Sequence, residues 1–295
     1  MMKKLVQLMR LWLMKFWVPL TIVIVMLGTA VSLTVVLLHK QQITVQIPNL
    51  TLRKQKGVES APISVLKKGE HLQILKKSEG WYEVRREDES TGWVAGWLLH
   101  RQQPLKSVTP LSETTIVLDP GHGGSDVGSL STNNKYEKTY TLQLAKRVAK
   151  QLRKTGARVI MTRNTDKIVY LAKIPKVAED NHADMFISFH FDSSPDPNTA
   201  TGYTSYYYHK DNGSYALAKS INAKLALPLL NKGVEYGNFL VIRDNSVPAI
   251  LLENGYMNSN HDFKYIKSKA YQEKIAKAIP IGIQNYLTNQ TKTAQ

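Results

Sequence analysis

Two histidines and two glutamates stand in this chain where an apolar pattern breaks or a helix begins. His122 lies in Asp119-Pro120-Gly121-His122-Gly123-Gly124, directly after the short, largely β-branched run Thr115-Ile116-Val117-Leu118. Proline fixes one φ angle, and glycine permits backbone angles that a β-carbon forbids. Such a turn can hold an imidazole at the mouth of a strand, where a metal or substrate could reach it. His190 closes Met185-Phe186-Ile187-Ser188-Phe189, Glu253 closes Ala249-Ile250-Leu251-Leu252, and Glu137 opens a long helical pattern. Two imidazoles and one carboxylate form a recurrent catalytic zinc set that leaves a fourth position for water. A further free carboxylate, Glu253, is then suited to take a proton from that water.

Each residue also has a plainer reading. Glu137 could be no more than a favourable charge in a first helical turn. A histidine after a buried strand is often a satisfied surface group, and a Gly-rich turn with one histidine is a common loop. Glu253 is harder to dismiss, because a carboxylate leaving a buried strand carries a desolvation cost unless something pairs or uses it. His39, His71, His100, His182, His209 and His261 have no comparable setting and read as structural or exposed.

The elements that must position these residues follow from the apolar pattern. From residue 114 onward, strand signals at 115–118, 157–162, 184–190, 203–208, 239–242 and 249–252 alternate with helical ones. Helices are predicted at 138–154, 214–227 and 271–287, with a shorter one near 171–180. Leu142, Ala145, Val148, Ala149 and Leu152 give the first of them an apolar stripe. This alternation predicts an α/β fold, a mostly parallel sheet flanked by helices. In open α/β sheets sites gather at the carboxyl ends of strands, where His122, His190 and Glu253 all fall. Glu137 can lean over the same edge if its helix packs beside the first strand.

Between residues 41 and 102, short period-two strands alternate with turns, which indicates a small all-β barrel or sandwich. Leu50-Thr51-Leu52-Arg53, Lys68-Gly69, Gly80-Trp81-Tyr82 and Thr91-Gly92-Trp93-Val94 resemble a bacterial SH3-like domain. Such domains bind wall peptide or position a neighbouring domain. Trp81, Trp93 and Trp97 can serve either ligand contact or core packing. Residues 103–113 read as a linker, and a flexible one of about a dozen residues would span about 20 Å. The polar end at 288–295 reads as frayed.

Residues 17–38 are an uncharged, overwhelmingly apolar run of 22 residues. As a helix it is about 33 Å long, enough to cross a bilayer core of roughly 30 Å. Gly28-Thr29-Ala30 would suit signal cleavage, but the apolar run continues beyond it and favours an uncleaved anchor. Lys3, Lys4, Arg10 and Lys15 precede the span and keep residues 1–16 cytoplasmic, although Lys40, Arg53, Lys54 and Lys56 beyond it weaken the contrast. The chain has 295 residues and no cysteine, which excludes disulfides, thiolate zinc sites and a cysteine nucleophile. A net charge of +16 favours a polyanionic neighbour. No nucleic-acid motif accompanies it, so no nucleic-acid partner is expected.

Val117-Leu118-Asp119-Pro120-Gly121-His122-Gly123-Gly124-Ser125-Asp126 with Gly128, then Glu137-Lys138, Ser188-Phe189-His190 and Pro248-Ala249-Ile250-Leu251-Leu252-Glu253, form an ordered set. It closely resembles the zinc-dependent N-acetylmuramoyl-L-alanine amidases of the amidase_3 family, from about residue 115 to 287. The resemblance implies a catalytic domain over 114–290, one Zn2+ held by His122, Glu137 and His190, and Glu253 as the catalytic glutamate. It implies peptidoglycan as substrate, cut between the lactyl group of muramic acid and the first L-alanine of the stem peptide.

With an anchor and an SH3-like domain in front, the layout resembles membrane-anchored wall amidases of Gram-positive bacteria. That implies a single-pass protein with its C-terminal domains outside the cell. It would act on membrane-proximal strands, with room for a membrane-protein partner or activator; a cleaved segment would make it secreted. Asn254 after the catalytic glutamate, Phe191 after the last histidine, and Ile174 and Glu179 ahead of that strand depart from the family's usual residues. They bear on the substrate groove and activity level. The competing readings are a catalytically weak wall-binding or scaffold protein and a zinc peptidase acting within the stem peptide.

Overall fold

The computed structural model describes residues 2–101 and 105–293. Residues 103 and 104 of the expected linker, and 294 and 295 of the tail, lie outside the described residues.

Helix α1 (Met2–Lys40) is continuous, and its stretch Met14–Leu33 is long and apolar enough to cross a membrane, with none of it buried. It leads directly into an all-antiparallel unit of β1 (Gln42–Thr44), β2 (Leu50–Arg53), β3 (Pro62–Leu66), β4 (His71–Ser78), β5 (Trp81–Arg85) and β6 (Thr91–Ala95). These pair in the order β1-β4-β5-β6-β2-β3, and a short helix α2 (Gly96–Leu99) follows. Alternate residues Leu50, Leu52, Leu72, Val84 and Val94 point inward, as period-two strands with one wet face require. Trp81 belongs to this core, which settles its reading as packing.

The larger unit comprises β7 (Thr115–Pro120), α3 (Glu137–Thr155), β8 (Arg158–Met161), α4 (Ile174–Asp180), β9 (Met185–Asp192), β10 (Tyr203–Tyr207), α5 (Ser214–Asn222), β11 (Asn231–Tyr236), α6 (Leu240–Arg243), β12 (Ala249–Tyr256), α7 (Asn260–Ile266) and α8 (Lys269–Thr293). Its sheet has the order β11-β10-β12-β9-β7-β8, parallel throughout except where β10 meets β12. One face packs on α3, α5 and α8 through Leu144, Val148, Leu152, Ile187 and Ile279. The other packs on α4 and α6 through Ile174, Phe186, Val241 and Leu251. Helix α3 stops where Gly156 takes a left-handed φ of 100° that a β-carbon would oppose.

Four expectations need correction. Residues 239–242 are not a strand: Phe239 precedes helix α6, which lies on the sheet and buries Val241 and Ile242. An apolar run this short fits a buried strand or a buried helical turn equally. Strand β11 gives no apolar alternation because it is a half-exposed edge. The helix expected over 214–227 ends at Asn222. The tail is helical to Thr293, with the Thr288 hydroxyl donating to the Gln284 carbonyl at 2.8 Å.

The segment expected to be a free linker is docked over its last turn. Residues Pro110–Glu113 form a 3-10 turn, and buried Glu113 pairs with Arg53 of the β unit at 2.5 Å. The Thr51 amide donates to the same carboxylate at 3.2 Å. Trp97 donates its indole N–H to the carbonyls of Ser112 and Gly156 at 3.0 and 3.1 Å. Val58 of the β unit packs into the core of the α/β unit. The two units therefore pack together at the end of the sheet where β7 begins.

Candidate metal centre and active site

The turn after β7 is built to aim His122. Gly121 donates its N–H to the Phe189 carbonyl at 3.0 Å, and Gly123 and Asp126 exchange backbone hydrogen bonds at 2.8 and 3.1 Å. His122 itself takes φ 63°, uncommon for a residue with a β-carbon and a form of local strain that persists only under surrounding constraint. Asp126 supplies part of that constraint: both of its carboxylate oxygens lie 3.0 Å from His122 Nδ1. This leaves Nε2 facing inward, 3.0 Å from Glu137 Oε2.

Glu137 is the first residue of α3 and only 2% exposed. Its Oε2 accepts from the Ser129 amide at 2.8 Å and its Oε1 from the Phe191 amide at 2.9 Å. Oε1 also lies 3.2 Å from His190 Nδ1. The three residues offer ligand atoms that all lie within 4.8 Å of one another. His122 and His190 remain 22% and 18% exposed at the side chain, so an ion has an open approach. No second such group occurs among the described residues.

The cradle around these atoms depends on two glycines. A β-carbon on Gly121 would fall 2.3 Å from His190 Nε2, and one on Gly128 would fall 2.6 Å from both Glu137 Oε2 and His122 Cδ2. Both sites admit no side chain while the trio keeps this arrangement. Donor chemistry, spacing and an open side together fit a small divalent ion of the zinc type.

Glu253 sits within β12 rather than after it, directly opposite His190 on β9. Residues paired across adjacent strands point to one face, so its carboxylate shares the face of His190. Its Oε2 is buried with no hydrogen-bond partner among the described residues. Burial, then the charges of Glu137 and Asp192, push its pKa well above the usual carboxylate range. Burial also works against Glu137, but hydrogen bonds and charge from His122 and His190 overcome it and hold that carboxylate far below its ordinary value. For His122 burial is again opposed, here by Glu137 and then Asp126, and its pKa rises to about 9.

All four expected site residues thus meet at one sheet edge. The remaining histidines do not: His71, His100, His182 and His261 are exposed, His209 meets the Arg243 carbonyl at 2.7 Å, and the His39 side chain lies outside the described residues. Phe191 faces the core with α3 and α8, and Ile174 faces the opposite core, while Glu179 is exposed. Asn254 donates to the carbonyls of His190 and Leu252 at 3.2 and 2.9 Å.

One contributor went unnoticed in the sequence. Arg163 is buried and donates to the carbonyls of Pro120, Gly121 and Lys138 at 2.9, 2.9 and 3.0 Å, tying the His122 turn to the start of α3. The signal available for it was a charged residue directly after the strand Arg158–Met161 and Thr162.

A mostly parallel-sheet domain with such a trio beside a half-buried glutamate whose Oε2 is buried without a partner has the chemistry of a metal-dependent hydrolase. The chain belongs to the N-acetylmuramoyl-L-alanine amidase family, whose model matches residues 116–285; a bacterial SH3 domain model matches residues 48–100. It is 37% identical over 257 residues to the probable cell wall amidase LytH of Staphylococcus aureus, covering 81% of this chain and 84% of that one. An N-acetylmuramoyl-L-alanine amidase from Clostridium difficile 630 matches in structure with TM-score 0.58 and 33% identity, over 60% of this chain and 98% of that one. The CwlD amidase from Clostridioides difficile, solved in complex with the GerS lipoprotein, matches with TM-score 0.56 and 28% identity, over 60% and 99% of the two chains. The chain is accordingly an enzyme that hydrolyses the amide between N-acetylmuramic acid and L-alanine in peptidoglycan.

Proposed function

We propose that His122, Glu137 and His190 hold one zinc ion, that Glu253 moves the proton in the amidase reaction, and that α1 anchors the enzyme in the membrane. The observation that carries the catalytic part is Glu253: a half-buried residue whose Oε2 is buried without a hydrogen-bond partner, on the same face as His190. A zinc ion bound by the trio supplies Lewis acidity, lowering the pKa of water from about 16 to about 7 and stabilising negative charge on the amide oxygen. Glu253 Oε2 takes the proton from the attacking water and gives it to the departing alanine amine, which leaves as a neutral group. Glu137 offsets part of the ion's charge, and Asp126 holds the His122 ring in the tautomer that presents Nε2.

Zinc analysis and turnover of a Glu253→Gln chain test this assignment together. The amide is isosteric but cannot accept the proton, so about one zinc per chain and a loss of roughly 10²–10⁴-fold in turnover are expected. Near-native turnover in that variant, or full activity after exhaustive chelation, contradicts it.

The apolar stretch Met14–Leu33 supports an anchor that stays attached, with the two folded units on the wall side. N-terminal sequencing of the mature protein checks this: a start near residue 31 would show cleavage and a secreted enzyme. Assembly of the CwlD relative with a lipoprotein supports a membrane-associated partner for this chain as well. Equal activity of the purified full chain and the chain in native membranes would remove the need for one.

A further inference from the structure

One residue pair beyond Glu253 and His190, the same sheet face carries a second polar cluster. β12 and β9 pair Glu253 with His190 and then, past an irregularity, Tyr256 with Asp192. Residues two apart on β9 share a face, so Asp192 and Tyr256 stand beside the catalytic pair, about 7 Å along the strand. Tyr256 is only 7% exposed, and its hydroxyl accepts from Lys232 Nζ at 2.7 Å, with the Asp192 charge acting on both.

Lys232 reaches this point from the start of β11, on the far side of β10. Its ammonium sits 5.1 Å from the centre of the Tyr256 ring, and its stem lies along Gly202, where a β-carbon would come within 3.1 Å of Lys232 Cγ. An ammonium has three donors, and Tyr256 is the single hydrogen-bond partner of the Lys232 ammonium among the described residues. The cluster thus holds a cation in place with donors to spare.

The reaction gives this position a meaning. Glu253 returns its proton to the leaving amine, so the peptide departs over Glu253. In one direction along the face from Glu253 lie Leu251 and the core, and in the other lie Tyr256 and Lys232. Each peptide residue advances the chain by about 3.5 Å, which puts a carboxylate on the residue after the alanine about 7 Å from the reacting nitrogen. That is about the distance along the strands from the catalytic pair to Tyr256, whose hydroxyl holds the Lys232 ammonium.

We infer that Lys232, held by Tyr256 beside Asp192, is a specificity residue that binds a free carboxylate on the peptide residue following the cleaved alanine. The inference rests on the amidase reading, with Glu253 as proton carrier. A carboxamide at that position offers Lys232 a neutral acceptor in place of a charged one, and charged hydrogen bonds are about twice as strong.

The test uses two soluble muramyl peptides that differ only in a carboxylate or a carboxamide on that residue. Each is titrated calorimetrically into zinc-loaded full-length Glu253→Gln protein in detergent, whose slowed turnover lets binding be read before cleavage. The carboxylate form is expected to bind about tenfold tighter. A second substitution, Lys232→Arg, is expected to keep the preference and Lys232→Met to abolish it. Lys232 is exposed, so neither change removes buried structure. Equal affinities in the parent, or a preference that survives Lys232→Met, overturn the inference. Digestion of the same peptides by the unsubstituted enzyme separates the two ideas. Cleavage at the muramoyl–alanine bond without a binding preference discards the Lys232 subsite and leaves the reaction. Absence of that cleavage overturns the amidase reading and the inference with it.

Discussion

Glu137 carries a charge that burial opposes and its neighbours retain. Two imidazoles and two backbone amides converge on one nearly inaccessible carboxylate. In the metal-free protein this arrangement stores a proton on His122, whose pKa of about 9 lies above its ordinary 6.5. A raised folded-state pKa contributes stability that is fully present below 6.5 and is lost as pH rises through 9. Zinc requires a neutral imidazole, so it must displace that proton. Zinc uptake at pH 7.5 is expected to release about one proton from His122, and the release should fade above pH 9. Calorimetric titration in buffers of differing ionisation enthalpy measures it, and no release at pH 7.5 contradicts the electrostatics described here. That His122, Glu137, His190 and Glu253 converge was legible in the sequence because each interrupts an apolar run or opens a helix. Asp126 and Arg163 were not: their roles depend on backbone carbonyls and ring nitrogens that only the folded turn brings within reach.

Strand β7, the turn after it and the start of α3 act as one device for placing His122 against Glu137. Gly128 has φ 67°, and any β-carbon there would press on both residues. Gly128→Ala is therefore expected to weaken zinc binding by at least tenfold, in the range seen when the support of metal ligands is disturbed. The helical content should be retained. Competition with a chelator of known affinity measures the change, and native zinc affinity in the variant contradicts the cradle. Strands β7, β9 and β12 and helix α3 were readable because each is buried and strongly patterned. Strand β11 and helix α6 were not. An edge strand bears no apolar alternation, and Leu-Val-Ile at 240–242 is equally suited to a strand or to one helical turn on a sheet. The extension of β12 past Glu253 was hidden as well, because polar Glu253 and Asn254 look like the end of an apolar strand.

The whole molecule joins a membrane-length helix, a small β unit and an α/β unit whose site lies at the end of the sheet opposite the β unit. Docking of Glu113 against Arg53 replaces the free tether read from the sequence, whose prolines and polar residues give no sign of a tertiary partner 60 residues away. If α1 stays in the membrane as proposed, packed domains rather than linker reach set the height of the active site above it. Arg53→Met would leave the Glu113 carboxylate buried without a counter-charge, with only the Thr51 amide donating to it. It is expected to destabilise the protein by about 3 kcal/mol. Denaturant unfolding of the full chain in detergent checks this, and a loss below about 0.5 kcal/mol would mark the pair as no better than a surface one. The central claim, hydrolysis of the muramoyl–alanine amide by this chain, meets its most direct test in purified peptidoglycan digested with the zinc-loaded enzyme, followed by identification of every newly exposed amine terminus. The account requires new L-alanine termini that appear with the native enzyme and not with Glu253→Gln. New termini elsewhere in the stem peptide, or none at all, would contradict it.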